Sequence, residues 1–183
     1  MDAQTSPGAG GSLGSLLPDA AITIGAGATD WRDAVRAAGR ALVASGATTD
    51  AYTDEMIATV EALGPYIVIA PGIALAHSRP SPAVRRAGIS LVTLARPVEF
   101  GHRANDPVTL VIGLAAPDDE GHVSALATLA EFLTDEGRRT ALLQAADPRA
   151  VRSLIAAYEG GAAGRSDNAP DAAQERGSAA HPA

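Results

Sequence analysis

Three side chains could handle a proton or a phosphoryl group where the chain pattern would expose them: His77, Arg79 and His122. His77 stands in "APGIALAHSRP" (Ala70–Pro80), after an apolar run and between the breaks at Pro71-Gly72 and Pro80. It places an imidazole at a strand end, where open α/β sheets bind ligands, with the Arg79 guanidinium two residues on. His122 falls in the first turn of a predicted helix, behind Asp118, Asp119 and Glu120. The free N–H groups and partial positive charge of a helix start favour an anion there and disfavour a protonated imidazole. A neutral imidazole is a nucleophile and an imidazolium is not. If His77 and His122 converge, one attacks phosphorus while the other, with the helix start and Arg79, offsets the charge of the phosphoryl oxygens.

Spacing alone leaves plainer readings open. A histidine in a turn is more often structural than chemical, and His122 also suits capping or packing at the start of an apolar helix face. The "DDE" run reads most simply as a helix start. A metal site built from His77, His122 and Asp118 or Glu120 matches no ligand spacing. His102, in "EFGHRANDP", reads as an exposed loop residue, and His181 has no role in its polar tail.

Composition narrows the chemistry further. With no cysteine there is no disulfide, thiolate nucleophile or Cys-ligated zinc. All 14 basic residues are arginine, which removes Schiff-base lysine and P-loop lysine chemistry. A net charge of −7 argues against a sequence-independent grip on nucleic acid or an anionic membrane. No G-x-S-x-G elbow and no phosphate-cradling Gly-rich loop occurs, and nothing calls for a cofactor. No apolar window approaches the roughly 18 residues of a membrane span, and the N-terminus does not read as a signal peptide. The expectation is a cytoplasmic protein without direct membrane insertion.

The elements that must position these residues follow from periodicity. Residues 1–15 and 160–183 are Gly, Ala, Ser and Pro-rich and are expected to be disordered tails around a body at 16–159. "AITIG" (Ala21–Gly25) reads as a strand. Thr29 or Asp30 caps a helix with Trp31, Val35, Ala38 and Leu42 on one face, stopped at Gly46. A second helix from about Thr49 carries Tyr52, Met56, Val60 and Leu63 in phase and ends at Gly64-Pro65. Tyr66–Ala70, Ile89–Leu94 and Val108–Leu114 are continuous apolar runs, as strands buried on both faces are. The last two are joined by a broken, Pro-containing segment that suits an antiparallel pair. Helices follow after Asp118, over about Asp135–Ala146, and from Asp147-Pro148 through Val151, Leu154, Ile155 and Tyr158. The fold class is therefore α/β: a three-layer domain with a mixed β-sheet flanked by helices on both faces.

Beyond these readings, "YTDEMIATVEALGPYIVIAPGIALAHSRP" (Tyr52–Pro80) resembles the phosphoacceptor region of the mannitol/fructose-type enzyme IIA domains of the bacterial sugar phosphotransferase system. "PVEFG", "NDPVTLVIGLAA" and "HVSALATLAEFL" continue the similarity in order, over about Leu16 to Tyr158. The wording around His77 is nearest the ascorbate-type branch. The resemblance implies that His77 is the phosphorylated histidine, through Nε2, and that His122 is the second active-site histidine. It implies a phosphocarrier that takes a phosphoryl group from HPr and passes it to a cysteine of enzyme IIB, serving a IIC permease for ascorbate or a related sugar. No metal or cofactor is implied, and the oligomeric state, a homodimer included, stays open. Mannitol-type members carry an arginine where this chain has Val60 before Glu61, which leaves Arg79 as the nearest candidate for that charge. Partner contacts are expected at Ala74, Leu75, Ala76 and the helix beginning at His122. A regulatory module, with His77 phosphorylation switching protein binding, and a small metal-dependent hydrolase are the competing readings.

Overall fold

The computed structural model describes residues 11–166. A helical turn, α1 (Leu13–Leu16), precedes strand β1 (Ile22–Ala26). Helices α2 (Trp31–Ala44) and α3 (Asp50–Leu63) follow, then β2 (Val68–Ala70), β3 (Ile73–His77), β4 (Gly88–Val98) and β5 (Val108–Ala115). Helices α4 (Asp119–Leu133), α5 (Glu136–Leu143) and α6 (Pro148–Ser166) complete the chain. The predicted tails lie outside the described residues at 1–10 and 167–183, while 11–15 and 160–166 include parts of α1 and α6.

The five strands lie in the order β1-β4-β5-β3-β2. β1 with β4 and β3 with β5 are parallel, and β4 with β5 and β2 with β3 are antiparallel. The sheet is thus mixed, and β4 and β5 form the antiparallel pair expected from their connecting segment. Two apolar clusters cover its faces. Ala74, Ala76, Val92 and Val111 meet α2 and α3 through Ala38, Leu42, Tyr52 and Met56. Ile73, Leu75, Leu91 and Ile112 meet the other layer through Leu129, Phe132, Val151 and Ile155.

Side chains alternate across a strand, so β3 addresses both layers in turn. Ile73 and Leu75 lie against the α4 layer, and His77 continues that series. Ala74 and Ala76 lie against the α2–α3 layer, and the residue after His77, Ser78, continues that one. A slip of one residue would exchange the two faces.

The apolar run at Tyr66–Ala70 departs from its predicted form. Pro65–Ile67 is a 3-10 turn, β2 is a three-residue edge strand, and Tyr66 and Ile69 are about half exposed. The strand buried on both faces is instead Ile73–His77. Gly72, at φ +77°, makes the tight reversal between the two. Leu63 keeps its helical phase but lies 68% exposed, past the edge of the layer.

The loop before β5 braces this hairpin. Gly72 donates its N–H to the Asn105 carbonyl at 2.9 Å, and the Asn105 amide donates to the Val68 carbonyl at 3.1 Å. The loop is itself shaped by Asp106, whose Oδ2 accepts the N–H groups of Phe100, Gly101 and His102 at 3.0, 2.7 and 2.9 Å. His102 is half-buried, and its Nδ1 accepts from Asn105 N–H at 3.1 Å, which makes it a structural residue. Three donors lose a charged acceptor in Asp106→Ala, so a stability loss of about 2–4 kcal/mol is expected in urea titration. A change below about 0.5 kcal/mol would show that water replaces the carboxylate.

Candidate functional site

The site is built where the C-terminal end of β3 meets the start of α4. His77 is the last residue of β3, in register with Leu114 of β5. Its Nδ1 lies 2.9 Å from the Leu75 carbonyl oxygen. A carbonyl only accepts, so Nδ1 carries a proton, and in the neutral ring the lone pair is on Nε2. The ring is half-buried, with the Tyr66 ring edge-on to it at a centroid distance of 6.1 Å.

Asp118 caps α4, its side chain accepting the Gly121 N–H at 2.7 Å. That puts His122 in the first turn and turns its ring toward β3. The two imidazole centroids are 5.7 Å apart, with the ring planes inclined by 43°. The histidines converge as the phosphoryl hypothesis requires, across 45 residues of sequence. His122 Nδ1 is buried without a hydrogen-bond partner. Desolvation first, and His77 second, hold the His122 imidazole below the usual histidine range, and Asp119 opposes them.

The sign of the stability effect follows from that direction. A depressed histidine binds its proton more weakly folded than unfolded, so protonation favours the unfolded chain. The destabilisation sets in as pH falls through the unfolded value of about 6.5 and levels off below the lower folded value. His122→Gln is therefore expected to flatten the decline of Tm between pH 7.5 and 5.5. A decline identical to the wild type would assign the acid sensitivity to other groups.

Arg79 is exposed and makes no hydrogen bond or ion pair with a described residue. Val60 is buried in the core, and the adjacent Glu61 receives Arg32, at 2.8 Å, from α2. The positive charge beside Glu61 thus comes from a different helix. Ala74, Leu75 and Ala76, expected as partner contacts, are buried in the sheet. The exposed apolar groups flanking the histidines are Tyr66 and Val123, 45% and 65% exposed. Among the described residues, no three His, Cys, Asp or Glu side chains are grouped to hold a metal ion.

Sequence reading missed the support beneath the site. Tyr52, Glu55 and Thr59 lie on one face of α3, at the three- and four-residue spacing of a helix. The Tyr52 hydroxyl donates to the Leu114 carbonyl at 2.7 Å and accepts the Ser78 N–H at 3.0 Å. Thr59 and Ser78 hydroxyls are 3.0 Å apart, and the Ser81 hydroxyl donates to Glu55 at 2.7 Å. Tyr52 looked like one more apolar position in the helix phase. The signal available was its hydroxyl, because a fully buried tyrosine needs a partner.

The paired histidines, the His77 Nδ1 contact with the Leu75 carbonyl and the mixed sheet coincide with a family match over residues 15–158, to the model described as "Phosphoenolpyruvate-dependent sugar phosphotransferase system, EIIA 2". The chain belongs to this EIIA family. As an EIIA component it is a member of the phosphotransferase system. It is 43% identical over 108 residues to the ascorbate-specific PTS system EIIA component of Escherichia coli (strain K12), covering 59% of this chain and 70% of that protein. Among solved structures it is similar to the mannitol-specific cryptic enzyme IIA CmtB of Escherichia coli, with a TM-score of 0.70 and 29% identity over 77% of this EIIA chain and 95% of CmtB. It is also similar to a chain in the complex of enzyme IIA-mannitol with phosphorylated enzyme IIB-mannitol from Escherichia coli. That match has a TM-score of 0.68 and 27% identity, and covers 78% of this chain and 99% of the other. No described helix of this EIIA domain is long and apolar enough to cross a membrane.

Proposed function

We propose that this EIIA domain is a cytoplasmic phosphocarrier. His77 accepts a phosphoryl group from phospho-HPr and gives it to a cysteine of enzyme IIB, for uptake of ascorbate or a related sugar through a IIC permease. The observation that carries the reading is the 2.9 Å contact between His77 Nδ1 and the Leu75 carbonyl oxygen. With Nδ1–H held by the Leu75 carbonyl, the Nε2 lone pair is free to attack phosphorus in line.

In the accepting step the Nε2–P bond forms and the bond from phosphorus to the donor's imidazole nitrogen breaks, its electron pair returning to the donor ring. The His77 ring gains positive charge, and its Nδ1–H bond to the Leu75 carbonyl becomes charge-assisted and stronger. In the donating step a thiolate sulfur attacks the same phosphorus, and the Nε2–P electron pair returns to His77. One labile bond replaces another at each step, so transfer runs without a large drop in free energy.

His122 stays neutral beside this exchange. A buried lone pair is tolerated better than a buried N–H without a partner, which favours the proton on Nε2 rather than Nδ1. That N–H then donates to a phosphoryl oxygen, and Arg79, without a partner among the described residues, supplies a full positive charge two residues from the nucleophile. Tyr66 and Val123 form the apolar rim on which HPr and IIB dock in turn.

The test is reconstitution. Purified protein is incubated with enzyme I, HPr and labelled phosphoenolpyruvate, and then with the cytosolic IIB proteins of ascorbate, mannitol and fructose systems. Label on this chain that moves to a IIB cysteine supports the carrier, and the IIB that takes it fastest assigns the sugar class. Label that stays on this chain with every IIB supports the regulatory reading instead.

A further inference from the structure

We infer that Tyr52 is a positioning residue for the transfer: its hydroxyl ties the end of β3 to β5 and so holds His77 with Nδ1 on the Leu75 carbonyl and its ring beside His122. The inference rests on the phosphocarrier reading for its kinetic consequence but not for its structural one.

The tie sits at one rung of the sheet. His77 and Leu114 are register partners, and they are the last pair of the parallel β3–β5 ladder. The parallel register ends with them, and Ser78 is the residue after the end of β3. Tyr52 serves the Leu114 carbonyl and the Ser78 N–H with one oxygen: its single proton goes to the carbonyl at 2.7 Å, and a lone pair takes the N–H at 3.0 Å. The ring reaches them from the layer opposite His122, is completely buried, and has no freedom to leave. Burial, Glu55 adding to it and the Ser78 N–H opposing, pushes the phenol up to about 12, so the donor proton stays in place.

Fixing the Ser78 N–H fixes the peptide plane that follows the His77 Cα. That plane sets where the imidazole starts, and the Nδ1–H bond to Leu75, two residues back on the same strand, sets where it ends. Thr59 adds a side-chain hold on the same residue. Its hydroxyl donates to the Glu55 carbonyl at 2.8 Å, which leaves the Ser78 hydroxyl as the donor in the 3.0 Å bond between them. Ser78 is thereby gripped at backbone and side chain by α3, while His77 faces α4.

Tyr52→Phe keeps the ring and removes only the tie. The full chain is labelled with ¹⁵N-histidine, and long-range ¹H–¹⁵N spectra report which His77 nitrogen is protonated. Phosphorylation by phospho-HPr is followed in parallel. The wild type is expected as a single Nδ1–H species and Tyr52→Phe as a mixture, with kcat lower by about 10- to 100-fold and KM changed less than about threefold. Thr59→Val is expected to lower kcat by a smaller factor. Ser90→Ala, which removes a buried hydroxyl bond to the Ala38 carbonyl elsewhere in the sheet, is the control for general loosening and should retain both wild-type readouts. A single Nδ1–H species and wild-type kcat in Tyr52→Phe would overturn the inference, as would an equal loss in Ser90→Ala. A wild type that takes no phosphate, with the spectral change still present in Tyr52→Phe, would sink the phosphocarrier reading and leave the positioning role standing.

Discussion

His77→Ala is expected to take no acid-labile, base-stable phosphate from phospho-HPr, while the wild type labels to completion. The expectation is total loss because, among the described residues, no other histidine offers an equivalent nitrogen. The His102 Nδ1 is committed to its own loop, and the buried Nδ1 of His122 is closed to an in-line partner. His77 lies at a strand end, half-exposed and bonded only through Nδ1, so its removal leaves the fold's clusters untouched and Tm should stay within about 2 °C. Label retained in His77→Ala would place the phosphoacceptor elsewhere. His122→Ala separates the two histidines' roles. It should still accept label on His77, about 10²- to 10³-fold more slowly, as loss of a preorganised donor to a charged phosphoryl group predicts. Wild-type rates in both directions would remove His122 from the chemistry.

Gly39→Val should be the most damaging substitution for stability. Gly39 lies in the interior of α2, where glycine costs about 1 kcal/mol against alanine. It is kept there by α3: a Cβ at this position would stand 2.8 Å from the Thr53 Cβ, and closer still to that residue's Oγ1 and Cγ2. The helices can make room only by separating, and α3 is tied to the sheet through Tyr52, the residue next to Thr53. Overpacking of this kind costs about 3 kcal/mol, or roughly 6–12 °C in Tm for a domain of this size. Phosphorylation should fall with it, because α3 carries Tyr52, Glu55 and Thr59. Gly160→Ala, on α6 with nothing within 4 Å of its Cβ, provides the contrast and should be neutral or stabilising. A Gly39→Val protein as stable as the wild type would show that α2 and α3 do not hold each other at this distance.

Much of this was legible in the chain, for reasons that differ between elements. Helices α2 and α4 announced themselves through their start signals, Thr29 or Asp30 for the one and Asp118 with Asp119 for the other, of which Asp30 and Asp118 are the caps, and through apolar residues at helical spacing. β4 and β5 were legible because strands covered on both faces must be continuously apolar. Tyr66–Ala70 met the same criterion and yet sits at the sheet edge. Composition cannot say which of two adjoining apolar runs the layers will cover, and Pro65 and Gly72 decided it through the turns they make. The two histidines could be named from their positions, but their approach to 5.7 Å is a product of topology. The Tyr52 tie was hidden because its bonds end on backbone groups of Ser78 and Leu114, which no side-chain pattern encodes.

The sheet's two borders have a consequence for the repeated docking proposed for this chain. β2 is three residues long, and the register of β1 against β4 shifts between Thr23 and Ala26, with Gly25 at φ +72° between them. Neither border offers a long, flat row of unpaired amides on which a foreign strand could template. Encounters are thereby steered away from irreversible strand-to-strand adhesion and toward side-chain contacts near the strand ends, which form and release quickly.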